Sequence, residues 1–469
     1  VSMDTKTVSI LVVAILVVAG ISAALVLAKD DGDASRNLDV NLEIYGNADG
    51  DWKVDEADAK LVESWIDANE NNDTAAIDEL KGRINLDFAD ANRSGAIDSK
   101  DVEQIRAIAN GTAKHLWFLD GIQQEREMDI GDAIKKVGCE YYSNTEAMLI
   151  LGQADRIAAV DNAPYQYLDF YFSPQQKSKV TNMVNMNAPD YGFVNTLKLD
   201  VLLIFSSTAS YEAKQEKLIG TDVLYLGLYN PDLTNTAKSN FIQGILKAGY
   251  IFGAVDRAVD YTNWVLDYRD KMLDIANSIP DEKKPVCAMS NYTNSYFENG
   301  TSNTIPIYSS IDPLGQAVVL SGGKNLLQVL DVTTSGYSHK IGIDAVFNKH
   351  PVDHFFLHNV KYTYGGAVMS STPDHGYLQD DPSQMADAWK KSVGQPLMGD
   401  ETITLLAGDF RNGCTGGILL AAYMAKQINP DAYSGIDPLK MHAEYIDWMG
   451  ISDYDITKHG VFFYQGQAA

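Results

Sequence analysis

Asn240-Phe-Ile-Gln-Gly-Ile-Leu-Lys-Ala-Gly-Tyr-Ile-Phe252, and then Val255-Asp-Arg-Ala-Val-Asp-Tyr-Thr-Asn-Trp-Val-Leu-Asp-Tyr-Arg-Asp-Lys-Met-Leu-Asp-Ile-Ala-Asn-Ser-Ile279, decide the architecture. Both stretches repeat apolar residues at spacings of three and four, the period of a helix with one buried face. Pro280 ends the second, because proline lacks the N–H a helix interior needs. At 1.5 Å per residue a helix of about 25 residues measures nearly 38 Å. A helix of that length is a strut between two bodies rather than a turn inside one.

On either side of the strut, strands alternate with helices. Leu116-Trp-Phe-Leu-Asp120-Gly121 followed by Ile122 to Met128 predicts a hairpin with an Asp-Gly turn. Ser143-Asn144-Thr145-Glu146 has capping-box spacing and predicts a helix over 147–151, closed by Gly152. Arg156 to Asp161, Val201 to Phe205 and Val223 to Leu228 read as strands. After Pro280 come a strand at Val286 to Ser290, a helix at Pro313 to Leu320, a strand at His354 to His358, and a helix at Thr415 to Ile428. The fold class is α/β, with two Rossmann-like lobes joined by a long rigid helix.

A different pattern precedes residue 114. Asn47-Ala-Asp49-Gly-Asp51-Trp-Lys-Val-Asp55-Glu-Ala-Asp58 and Asp90-Ala-Asn92-Arg-Ser94-Gly95-Ala-Ile-Asp98-Ser-Lys-Asp101 carry oxygen side chains at positions 1, 3, 5, 9 and 12. That spacing wraps a hard cation in oxygen ligands, so two calcium ions are expected, on Asn47, Asp49, Asp51, Asp55 and Asp58 and on Asp90, Asn92, Ser94, Asp98 and Asp101. Gly95 stands at the sharp-turn position 6, where the first loop has Trp52, which must then adopt a backbone glycine tolerates more easily. Each loop runs into an amphipathic stretch, 59–68 and 102–109. Paired loops ending in Asp, each followed by one helix, resemble the dockerin module, an all-α calcium module. That resemblance implies a cohesin-like or other cell-surface partner.

Val8 to Ala28 is an uncharged apolar run, long enough to cross a bilayer as a helix. Lys6 before it and Asp30, Asp31 and Asp33 after it favour an outside location for the rest. The expected organisation is therefore a membrane anchor and linker over 1–36, a calcium module over 37–113, and a two-lobed domain over 114–469. The last divides into lobe one (114–235), connecting helices (236–280) and lobe two (281–469). A net charge of −26 over 469 residues excludes nucleic-acid binding, which needs a basic face. Cys139, Cys287 and Cys414 are far apart and odd in number, so no disulfide framework follows. Sequons at Asn72, Asn92, Asn110, Asn291 and Asn299 are compatible with an exterior address.

The two-lobed region resembles the ABC-transporter substrate-binding proteins for ferric siderophores, haem and corrinoids. The resemblance rests on Ser143 to Glu146 with Leu151-Gly152 and Arg156 to Asp161, and on Leu197-Lys-Leu-Asp200 before Val201 to Ile204. In lobe two it rests on Gly315 to Asn325 with Ser321-Gly-Gly-Lys-Asn325, and on Tyr433 to Met449 with Ile436-Asp437-Pro438. It implies a non-enzymatic binder that hands a metal chelate to an ABC permease. It also implies one acidic docking residue per lobe. Asp344 falls at the second-lobe position, whereas Gly192 occupies the first-lobe one with Asp190 nearby.

Ligand in such a fold lies between the lobes, at loops that follow strands. The candidate contacts are Tyr141, Asn144, Asn162, Tyr165, Tyr167, Ser206, Ser207, Thr208, Tyr229, Asp409 and Arg411. Tyrosine offers a flat face and a hydroxyl, and Arg411 can grip a carboxylate with two N–H groups. His350, His354 and His358 recur every four residues, but Pro351 rules out a helix there. On a strand, His354 and His358 share a face about 13 Å apart, too far to hold one ion, which leaves His358 alone as a ligand for a chelated metal. A calcium-dependent cell-surface scaffold is the alternative. An enzyme is disfavoured, for the chain has no P-loop, nucleophile elbow or dinucleotide-binding glycine pattern.

Overall fold

The computed structural model describes residues 40–205, 210–229, 233, 239–292, 302–346, 352–358, 376–394, 402–415 and 417–466. The apolar run 8–28 lies outside them. Among the described residues no helix is long and apolar enough to cross a membrane.

The first α-helix, α1 (Glu56–Glu70), and α2 (Ser99–Ala109) follow the two acidic loops, and each starts with a capping box, on Asp55 and Asp58 and on Asp98 and Asp101. Both loops place position 4 in the left-handed region (Gly50 φ 74, Arg93 φ 54), and only the second does so at position 6 (Gly95 φ 87). Trp52 keeps an ordinary backbone, which removes the strain expected of it. Strands β1 (His115–Leu119) and β2 (Glu125–Asp129) pair antiparallel as expected. The turn is longer than an Asp-Gly pair. Asp120 accepts the N–H groups of Ile122 and Gln124, and Gln123 supplies the left-handed residue.

This early region packs into the same hydrophobic core as the lobe that follows, with Leu42, Ile44, Val54, Val62 and Ile105 continuous with Leu116, Phe118 and Ile245. Polar ties cross the seam. The buried Lys247 pairs with Glu43 at 2.7 Å, and the Val54 N–H donates to the Tyr250 hydroxyl at 2.9 Å.

Lobe one is a parallel sheet of β3 (Val137–Cys139), β4 (Ile157–Val160), β5 (Thr181–Asn182), β6 (Val201–Leu203) and β7 (Asp222–Leu224), in the order β5-β4-β3-β6-β7. Helix α3 (Tyr141–Ile150) follows β3. It starts two residues before the supposed capping box, so Ser143 and Glu146 are buried inside it rather than at its cap. Residue spacing alone cannot distinguish a cap from two buried polar side chains a turn apart. Gly152 closes the helix with φ 71.

The strut is α4 (Asn240–Phe252) and α5 (Val255–Ser278), with Gly253 between them at φ 70. Lobe two is a mixed sheet of β8 (Val286–Asn291), β9 (Thr304–Tyr308), β10 (Lys324–Asn325), β11 (Ser338–Gly342), β12 (His354–His358), β13 (Thr402–Leu406) and β14 (Phe463–Tyr464). Its main order is β11-β9-β8-β12-β13-β14, with β10 beside β8. Helices α6 (Pro313–Leu320), α7 (Ile418–Ile428) and α8 (Pro438–Trp448) join the core that also holds the strut.

Candidate ligand cleft

Each sheet has a point where successive connections leave in opposite directions, and crevices for ligands open there, beyond the carboxyl ends of the strands. In lobe one the point lies between β3 and β6, whose ends lead to Tyr141 and Phe205. In lobe two it lies between β8 and β12, which end at Asn291 and His358.

Tyr141 starts α3 with φ 66, a left-handed backbone that costs a non-glycine residue strain. Its ring lies 4.1 Å from that of Phe205 and 5.5 Å from that of Tyr229, edge to face. Across the gap the Tyr308 hydroxyl donates to Asn291 Oδ1 at 2.7 Å, and its ring stands perpendicular to the imidazole of His358 at 5.6 Å. Arg411 joins the two halves, its guanidinium 5.2 Å from the Tyr229 ring and 5.4 Å from the Tyr308 ring.

Arg411 is already engaged. Its Nε and Nη2 donate to one oxygen of Asp312 at 3.1 and 2.9 Å. Asp312 is fully buried and caps α6 through the Leu314 N–H. Burial pushes its carboxyl upward, and Arg411 pulls it back. The bidentate grip foreseen for a ligand carboxylate is thus directed at this chain's own aspartate. His358 differs. It is 1 % exposed, neither ring nitrogen has a hydrogen-bond partner among the described residues, and burial, then the nearby Arg411 charge, hold it well below the usual histidine range. Burial thus favours its uncharged form.

Beside the cleft a second polar group fastens lobe to lobe. Tyr167 donates to Asp409 Oδ1 at 2.6 Å, and the Gly376 N–H donates to Oδ2 at 2.7 Å. Glu146 accepts from the Tyr171 hydroxyl and the Cys414 N–H, both at 2.7 Å, and from the Tyr445 hydroxyl. A side chain at 413 would come within 2.4 Å of the Glu146 carboxylate, which is why glycine stands there. Desolvation pushes Asp409 up to about 7 and raises Glu146 as well.

The predicted contacts therefore divide. Tyr141, Tyr229, His358 and Arg411 meet in the cleft. Tyr167 and Asp409 meet each other in the seam. Asn144 is buried and donates to the Glu140 carbonyl at 2.7 Å, a brace for α3. Tyr165 is 37 % exposed, and Asn162 accepts from Asn182 at 3.4 Å. Ser206, Ser207 and Thr208 lie outside the described residues. Phe205, Asn291, Tyr308 and Asp312 were not foreseen. Asn291 and Tyr308 end their strands, Phe205 stands two residues after β6, and Asp312 precedes a Pro-initiated helix, so strand ends were the available signal.

In the acidic loops, Asp58 accepts the N–H groups of Ala48, Asp49 and Asp55, and Asp101 those of Asn92 and Asp98. Among the described residues no three Asp, Glu, His or Cys side chains converge as a formed metal cluster. Burial and then Asp49 and Asp51 push Asp58 up to about 7, and burial with Asp90 and Asp98 raises Asp101.

No protein-family model matches the chain, and no curated protein matches it. Solved structures do. The TroA-like periplasmic binding protein FepB of Veillonella parvula aligns over 75% of this chain and 99% of its own, with a TM-score of 0.55 and 15% identity. The molybdate periplasmic binding protein MolA of Haemophilus influenzae aligns over 72% and 98%, at 0.51 and 14%. A solute-binding protein of an ABC transporter from Sulfurospirillum deleyianum aligns over 73% and 98%, at 0.50 and 13%. The chain has the two-lobed fold of periplasmic solute-binding proteins of ABC transporters. These neighbours are binding proteins rather than enzymes.

Proposed function

We propose that this protein is an extracytoplasmic substrate-binding protein, anchored by the segment 8–28, that captures a metal chelate for an ABC permease. The chelate is a siderophore, haem or corrinoid. The observation that carries this reading is the aromatic cluster at the two strand-end switch points, Tyr141, Phe205 and Tyr229 joined through Arg411 to Tyr308, with the buried imidazole of His358 set against Tyr308 and lacking a hydrogen-bond partner among the described residues. Aromatic faces suit a planar or greasy ligand, and a neutral imidazole is a metal ligand. Asp344 is exposed on lobe two and would meet the permease. At the corresponding place on lobe one Gly192 is exposed and Asp190 caps its helix.

The acidic loops would hold two calcium ions, and the module they build would meet a cohesin-like or other cell-surface partner. Isothermal calorimetry of residues 37–469 against haemin, cyanocobalamin, a ferric tricatecholate, a ferric trihydroxamate and molybdate tests the cleft. Micromolar or tighter binding of a chelate, weakened at least tenfold by His358→Ala, is expected. Tight binding of molybdate alone would replace the chelate with an oxyanion. Binding of none of the five would remove the transport reading in favour of a calcium-dependent surface scaffold.

A further inference from the structure

Beneath the lobe-one wall of the cleft lies a cluster of charged side chains that the ligand reading does not use. Glu140, Asp161 and Lys214 are 3 %, 2 % and 2 % exposed. Lys214 and Glu140 pair at 2.5 Å. The other oxygen of Glu140 accepts the backbone N–H of Phe205 at 3.2 Å. Asp161, at the end of β4, accepts the N–H of Ala163 at 3.1 Å and the backbone N–H of Tyr141. Each carboxylate thus holds the backbone of one aromatic wall residue. One of those residues, Tyr141, carries a left-handed backbone, a conformation that persists only where its surroundings over-determine it.

Burying two carboxylates and an ammonium is costly unless each is paired and hydrogen-bonded. A hydrophobic floor would have been cheaper, and a lobe needing only stability has no use for this one. A carboxyl oxygen accepts from a chosen backbone N–H, at 3.2 Å for Phe205, and so fixes where that residue's side chain points.

We infer that Asp161 and the Glu140–Lys214 pair are positioning residues for the cleft, holding Tyr141 and Phe205 so that their rings form a preassembled wall. Asp161 holds Tyr141 in its left-handed turn, Glu140 anchors the end of β6 at Phe205, and Lys214 supplies the counter-charge. This rests on the reading of the cleft as the ligand site, but the brace itself can be tested without any ligand.

The experiment is a double-mutant cycle on residues 37–469, read by thermal unfolding. Asp161→Ala is expected to lower Tm by roughly 2 °C or more. If the aspartate's task is to hold the strained residue, the same change in a Tyr141→Gly background should cost less than half as much, because glycine adopts positive φ without penalty. Tyr141→Asn, the next most tolerant residue there, serves the same purpose should the glycine variant fail to fold. Asp161→Asn, which keeps one acceptor oxygen, should fall between aspartate and alanine. Equal costs in the two backgrounds would overturn the brace, since a merely structural aspartate is indifferent to residue 141. For any chelate the wild type binds, Asp161→Ala should weaken Kd at least tenfold, and an unchanged Kd would also overturn it. If no chelate binds the wild type, the cleft reading fails by itself and the cycle still decides the brace.

Discussion

Replacing Arg411 by methionine separates a structural arginine from a ligand-facing one. Its guanidinium donates two hydrogen bonds to Asp312, whose side chain is 0 % exposed while that of Arg411 is 20 % exposed. Removing one member of a buried pair costs about 3–5 kcal/mol, mostly because the other is left charged and dry. Here the residual exposure of Arg411 and the Leu314 N–H that still caps Asp312 place the expectation near the lower end, at about 3 kcal/mol. For a cooperative unit of this size, with an unfolding entropy of about 2.1 cal/mol/K per residue, that is a fall of roughly 3–4 °C in Tm. Asp312→Asn keeps the cap and removes the charge, so the double variant Arg411→Met/Asp312→Asn should recover about 1.5 kcal/mol or more relative to the sum of the single changes. Additive losses, or a loss within about 0.5 kcal/mol for Arg411→Met alone, would refute the internal pairing and return Arg411 to the ligand.

Acidity provides the second prediction. Asp409 rises from 3.8 to about 7, so between those values the folded protein keeps a proton that the unfolded chain has released. Stability therefore falls as pH rises through that window, by at most about 4 kcal/mol at 1.36 kcal/mol per unit. Asp161, also pushed up to about 7, acts in the same sense, while His442, lowered to about 3 by burial, penalises the acid side. Asp409→Asn should flatten the Tm–pH slope between pH 5 and 8, and an unchanged slope would exclude this group as its source. Calcium chelation should lower the whole melting transition, because the loop helices share the core of lobe one; a separate early transition at residues 40–113 would contradict that continuity. Gly315→Ala would put a Cβ 1.8 Å from the Ser309 carbonyl oxygen and should cost about 3 kcal/mol or more by overpacking, visible as lost soluble yield, whereas a wild-type Tm would show that the turn yields freely.

The parts of the fold legible in the sequence are those whose signal is long and local. The strut reads almost to the residue, as 240–252 and 255–278, because thirteen and twenty-four residues of unbroken period leave little room for another reading. The helix 313–320 and the strands 286–291 and 354–358 are equally plain, fixed by Pro313 and by continuous apolar runs. What the sequence concealed is set by distant partners. Ser143 and Glu146 fit a capping box, yet Glu146 serves the seam, bonded to Tyr171, Cys414 and Tyr445. The positive φ of Tyr141 has no signature in a residue that ordinarily avoids it. Arg411 announces a charge but not its partner, which stands ninety-nine positions away.

The seam and the cleft also explain one another. Closing the lobes strips water from Glu146 and Asp409, a cost their tyrosine and backbone donors only partly offset, as the upward displacement of both carboxyls shows. The Arg411–Asp312 pair and the tyrosines around it add favourable contacts on the cleft side. The closed arrangement is thus a balance of opposing polar terms laid over an apolar strut, and not a seam held by hydrophobic burial alone. A group that adds contacts to both lobes at once, as a bound chelate would, needs to contribute only a few kcal/mol to dominate such a balance. Lobe closure should therefore respond to ligand and to pH together, weakening as pH rises from about 4 to about 7 and levelling off above, where the cost of the buried Asp409 charge is fully present.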